Sequence, residues 1–121
     1  MIYTSYFGNL RNIDKMIPVS ICSKTPNWYE GLEYKKLAPS YDILMEYKRT
    51  GDKYRYTQRY QKEILNKLNQ MDVLKDLYEM TSNVRAGKRN IVLLCYEKPT
   101  DFCHRHIVAD WMGMGVSELV K

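Results

Sequence analysis

The sequence predicts one α/β domain over residues 1–121: a small, mainly parallel sheet flanked by helices, in a Rossmann-like three-layer arrangement. Two observations carry this reading. Strand-like and helix-like segments follow one another as strand, loop, strand, helices, strand, helix, strand, an order that builds parallel sheets. The segment Asn90 to Tyr96 is apolar on both alternations, at Ile91, Val92, Leu93 and Leu94, which marks a central strand covered on both faces.

Ile2 to Phe7 is rich in strand-favouring residues, and Gly8-Asn9 ends it. Leu10 to Met16 has room for one short helical turn. Ile17 to Cys22 reads as a second strand, with Pro18 placing its start near a sheet edge or entry point. Ser23 to Ala38, with Pro26, Gly31, Trp28 and Tyr29, reads as an ordered loop. Ser40 is placed to cap a helix running from Tyr41 through Tyr47, which Thr50-Gly51-Asp52 breaks. Asp52 is placed to cap a longer helix whose Tyr56, Tyr60, Ile64 and Leu68 recur every four residues. Asn69 to Asp72 interrupts it before a further helix from Val73 to Met80. Beyond the central strand, Thr100 is placed to cap a helix from Asp101 to Met112, with Asp101 complementing its dipole. Gly113 and Gly115 stop that helix, and Val116 to Val120 reads as a last short strand.

A chain of 121 residues with 45% hydrophobic and 27% charged residues has the composition of an ordinary globular domain. Its longest apolar run, Ile91 to Cys95, is far too short to cross a bilayer, and the start has no signal-peptide pattern. A cytoplasmic protein with no membrane partner is expected. In that setting Cys22, Cys95 and Cys103 are expected as reduced thiols, and their spacing forms no standard zinc pattern. No cofactor is implied. The net charge of +5 permits binding to phosphates or nucleic acid, but the basic residues are scattered apart from Lys48-Arg49 and Arg85 to Arg89.

The chemistry gathers where the central strand meets the last helix. Ligands of open parallel sheets bind beyond the carboxyl ends of the strands, here Tyr3 to Tyr6, Cys22 to Ser23 and Cys95 to Glu97. A helix starting at Thr100 would aim free N–H groups there, and Arg105 could add a bidentate grip on a phosphate or carboxylate. The same N–H groups would favour a Cys103 thiolate as nucleophile, with His104 as base or charged partner. Glu97 joins Cys103 and His104 as a catalytic candidate. Cys95 lies on the same side of its strand as Glu97 and is a ligand-binding candidate with Arg105, Thr100, Tyr3, Ser5, Tyr56 and Tyr60. The bland reading stays beside this one: Cys22 and Cys95 as small buried hydrophobes, Arg105 paired with Glu97 or Asp101.

The run Leu93-Leu-Cys-Tyr-Glu-Lys-Pro-Thr-Asp-Phe-Cys-His-Arg-His-Ile-Val-Ala109 resembles the hallmark of an uncharacterised family, catalogued as domain of unknown function number 488. In that family a strand ending in Cys-x-Glu leads to a Cys-His-Arg helix start, matched here by Cys95, Glu97, Cys103, His104 and Arg105. Tyr3-Thr-Ser and Tyr56-Thr-x-x-Tyr60 also fit. The chain is similar to the short forms found in bacteria and their phages. It lacks the Asp-Val-Arg-x-x-Pro signature of longer members, reading Ser20-Ile-Cys-Ser-Lys-Thr-Pro26 instead. The resemblance implies a compact α/β fold with the Cys-His-Arg corner as its site, and no particular reaction.

Two functions follow as expectations. The first is a site for a small anionic or nucleotide-like molecule, binding only or enzymatic through Cys103. The second is a non-catalytic nucleic-acid- or protein-binding module using the basic, tyrosine-rich face around Tyr54, Arg55 and Arg59. A metal held by Cys95, Cys103 and a histidine is a third, weaker possibility.

Overall fold

A computed structural model of the protein describes residues 2–13, 15–82, 90–97, 102–113 and 116–119. Among the described residues five strands form one sheet: β1 (Ile2–Tyr6), β2 (Ile17–Ser20), β3 (Leu32–Glu33), β4 (Ile91–Cys95) and β5 (Val116–Glu118). Their order is β3-β2-β4-β1-β5, and every pairing is parallel. Four α-helices accompany them among the described residues: α1 (Tyr41–Thr50), α2 (Lys53–Glu63), α3 (Gln70–Thr81) and α4 (His104–Met112). No helix among the described residues is long and apolar enough to cross a membrane.

The central position of β4 follows from its sequence. All five of its residues are buried, so helices and loops cover both faces and no polar alternation is needed. In register, Tyr6 stands beside Cys95 and Ser20 beside Leu94, which brings the carboxyl ends of β1, β2 and β4 to one edge. The chain leaves β2 toward β3 at one side of the sheet. It leaves β4 through α4 toward β5 at the other. Neighbouring parallel strands whose connections part in this way open a crevice between their ends.

Several sequence expectations are corrected in detail. The stretch expected as loop between Ser23 and Ala38 contains β3 and a 3-10 turn, Lys35–Leu37. β3 is only two residues long and carries no periodic pattern, because pairing with Val19 and Ser20 creates it. Pro18 lies on an inner strand, but β3 joins only from Val19 onward, so the sheet is still open on one side where the proline stands.

The stripe Tyr56, Tyr60, Ile64, Leu68 breaks after Glu63. Ile64 leaves the helix, a 3-10 turn follows, and Leu68 is extended. The cause is downstream: Asn69 accepts hydrogen bonds from the Met71 and Asp72 amides and starts α3 three residues before the expected Val73.

Ser40 and Asp52 cap α1 and α2 as the sequence indicates, accepting from the Ile43 and Arg55 amides. Gly51 closes α1 at φ +67°, a conformation that glycine adopts without strain.

The last helix starts later than expected. α4 begins at His104, and Cys103 occupies the N-cap position with an extended backbone. Thr100, the expected cap, and Asp101 lie outside the described residues. Phe102 accounts for the delay, since its ring packs 5.3 Å from Tyr47 and 5.0 Å from Tyr56 and holds the incoming chain extended.

Candidate active site

A cavity of about 400 Å³ lies where the crevice is expected, within the range of small-molecule sites. Ser23 and Lys24 reach it from beyond β2, and Tyr96 and Glu97 from beyond β4. Tyr47 and Lys48 come from α1, Tyr56 from α2, and Phe102, Cys103 and His104 from the start of α4.

Cys103 and His104 form the reactive part of the wall. His104 is buried, and its Nε2–H donates to the Ile21 carbonyl at 2.7 Å, which fixes ring orientation and tautomer. Nδ1 then lies 3.8 Å from Cys103 Sγ, and Cys95 Sγ stands 3.5 Å from the same nitrogen. The Tyr60 ring meets the imidazole edge-on at 5.6 Å and backs it from within the core.

Burial pushes the Cys103 thiol up. The Cys95 S–H, the hydrogen bond and charge of His104 and the nearby Arg105 N–H outweigh it and hold the thiol down at about 3. Burial pulls the His104 imidazole down, and the Cys103 bond and charge more than restore it. Cys103 is therefore held toward the thiolate, and its charge favours the imidazolium form of His104. Cys95 keeps its proton, pushed well up by burial and by its two cysteine neighbours. A bond from Cys95 also lowers Cys22, but Cys95 has one proton to donate. The imidazolium bonded to Cys103 makes that sulfur the stronger acceptor. Glu97, pushed up by burial and by the Cys103 charge, holds its proton longer than an ordinary carboxyl.

Cys95, Cys103 and His104 offer three donor atoms within 4.8 Å of one another, a set whose chemistry suits zinc. The directions suit it less. Cys95 Sγ is almost equidistant from the two ring nitrogens, at 3.5 and 3.6 Å, so it stands off the Nδ1 lone-pair direction. A metal on Nδ1 would be out of its reach without movement.

Comparison with protein-family models matches residues 9–114 to a family described as the active DUF488-N3 subclade. The chain belongs to the DUF488 family. Comparisons with curated proteins and with solved structures give no significant match.

In this DUF488 protein the residues named from sequence fall into three groups. Cys103, His104, Glu97 and Tyr56 line the cavity together, with Cys95 and Tyr60 packed behind His104. Tyr3 and Ser5 are on β1 and do not line it; Ser5 is buried and accepts a hydrogen bond from Asn9.

Arg105 is the main correction. Its fork does grip a carboxylate, but the carboxylate is the chain's own Glu118, at 3.1 Å from Nε and 3.0 Å from Nη2. Thr4 donates to the same Glu118 at 2.5 Å. Arg105 is fully buried and does not line the cavity, and its Nη1 has no partner among the described residues. Glu97, one of its expected partners, does not take that role, and Asp101, the other, lies outside the described residues.

Sequence reasoning pointed to the strand ends that carry Ser23 and Tyr96 without naming either as a site residue, and it missed Lys24, Tyr47, Lys48 and Phe102 as cavity residues. Of those four only Phe102 carried a usable signal, lying between the motif's own residues. The others come from a loop and from the exposed shoulder of α1, where no periodicity points.

Proposed function

We propose that the cavity binds a small anionic, nucleotide-like molecule and that Cys103 attacks it as a nucleophile. The observation that carries this reading is the placement of Cys103 and His104 side by side in the wall of a ligand-sized cavity at the ends of β2 and β4. His104 stabilises the thiolate as its charged partner, so no base is needed to remove a proton during attack. Sγ bonds to an electrophilic centre of the ligand as the bond to the leaving group breaks, and Glu97 gives that group its proton. Water, deprotonated by the Glu97 carboxylate, then releases the adduct and restores the thiolate. The matched subclade is described as active, which is consistent with a chemical role.

The alternative surface finds less support. On α2, Arg59 is engaged with Glu46 and Glu63, Arg55 with Glu46, and Tyr56 and Tyr60 are buried. That leaves Tyr54 as the exposed aromatic of this face.

Iodoacetamide labelling at neutral pH tests the nucleophile. Cys103 is expected to react well ahead of Cys22 and Cys95, and Cys103→Ser should remove the fast phase. Labelling no faster than that of an ordinary exposed thiol would sink the enzymatic reading.

A further inference from the structure

We infer that Lys24 and Lys48 form an anion subsite at this cavity, and that its ligand is a phosphate monoester carrying a flat ring. The inference rests on the cavity being a small-ligand site and names the chemistry that site would select. Both lysines line the cavity, and neither has an ion-pair partner among the described residues. Lys35, Lys36, Arg55, Arg59 and Arg105, by contrast, are each committed to a carboxylate of the chain. The cavity's own carboxyl, Glu97, does not answer the two ammonium groups. It forms no ion pair with either lysine among the described residues.

Lys24 is held at the wall by a built loop. Tyr96 donates its hydroxyl to the Lys24 carbonyl at 2.8 Å, tying the loop to the end of β4. Next to it, Ser23 donates to the Pro39 carbonyl at 2.5 Å, and the Ser23 carbonyl accepts from Lys35 at 2.6 Å. A loop fixed at three points holds in place the backbone from which Lys24 extends, so binding has only the side chain left to order. Lys48 stands on α1 beside Tyr47, and Lys53 lies 6.0 Å over the Phe102 ring, so positive charge surrounds one stretch of the cavity.

The rest of the wall selects for shape. Tyr47, Tyr56 and Phe102 pack mutually, with centroids 5.4, 5.3 and 5.0 Å apart, and each also lines the cavity. Aromatic walls of this kind favour a planar ring, by stacking or edge contact. Two lysines match a dianionic phosphate monoester better than a single carboxylate. They also offset the repulsion that a thiolate imposes on any anion bound beside it.

The test is calorimetric titration of the protein with nucleoside 5′-monophosphates, the matching unphosphorylated nucleosides, and benzoate. The monophosphates should bind about tenfold or more tightly than either comparison ligand, and salt should weaken them selectively. The double variant Lys24→Gln/Lys48→Gln should lose that preference while keeping its cooperative thermal unfolding. Lys24→Arg/Lys48→Arg should retain it. Monophosphates that bind no tighter than nucleosides, or a preference that survives the double Gln variant, would overturn the subsite. The same holds if no probe binds. A fast Cys103 labelling phase in that protein would show that the subsite had failed and the nucleophile had not.

Discussion

Cys103 and His104 face the cavity, and the next residue along, Arg105, reaches Glu118 on β5 instead. Because the Cys103 thiol is held down at about 3, its alkylation rate should be nearly flat between about pH 5 and pH 8 and fall only in stronger acid. An ordinary thiol would gain roughly tenfold per pH unit over that range. His104→Gln removes the charge that favours the thiolate, so the profile should move toward the ordinary thiol value. Its rate near pH 6 should drop by about tenfold or more. A variant profile that superimposes on the parent would show that His104 does not set the nucleophile. Arg105 carries a different expectation. Glu118→Ala strands a fully buried guanidinium and should cost about 3 kcal/mol of unfolding free energy in urea titration, with Glu118's partial exposure keeping the figure at the low end. The motif was legible as a cluster because its members lie close in sequence. The role of Arg105 was not, since its partner comes thirteen positions later, on β5.

The starts of α1 and α2 were legible through their caps, Ser40 and Asp52, while the cap of α3 at Asn69 was not, and cap residues are where this can be measured. Ser40 and Asn69 each satisfy amides at a helix start. Ser40→Ala and Asn69→Ala should each cost about 1 kcal/mol, read as a shift in the urea midpoint at unchanged slope. The two sites are on separate helices, so the double variant should lose close to the sum. A near-zero loss at Asn69 would remove the reason given for the break at Ile64. Periodicity misled where two rules competed: Tyr56, Tyr60, Ile64 and Leu68 keep a four-residue spacing across the end of α2, and the cap at Asn69 prevails. The start of α4 shows the same limit. Its place is set by Phe102 packing against Tyr47 and Tyr56, partners more than forty residues away.

For the molecule as a whole, the parallel sheet and its central strand were visible because β4 is apolar at every position. Leu93 is wholly buried at its middle, and Leu93→Ala should cost about 3 kcal/mol, read from the same unfolding curves. β3 escaped notice because two residues make a strand only when a neighbour recruits them. The order β3-β2-β4-β1-β5 also has a kinetic side. β1 spans Ile2–Tyr6, yet both strands it pairs with, Ile91–Cys95 and Val116–Glu118, come from the last third of the chain. On an elongating ribosome, β1 therefore waits without a sheet partner until those residues emerge. The thiolate arises just as late, because Cys103 comes after β4 and His104 needs the Ile21 carbonyl held in place. Newly made chains would thus carry a single ordinary thiol, Cys22, through most of synthesis, and a reactive one only at the end.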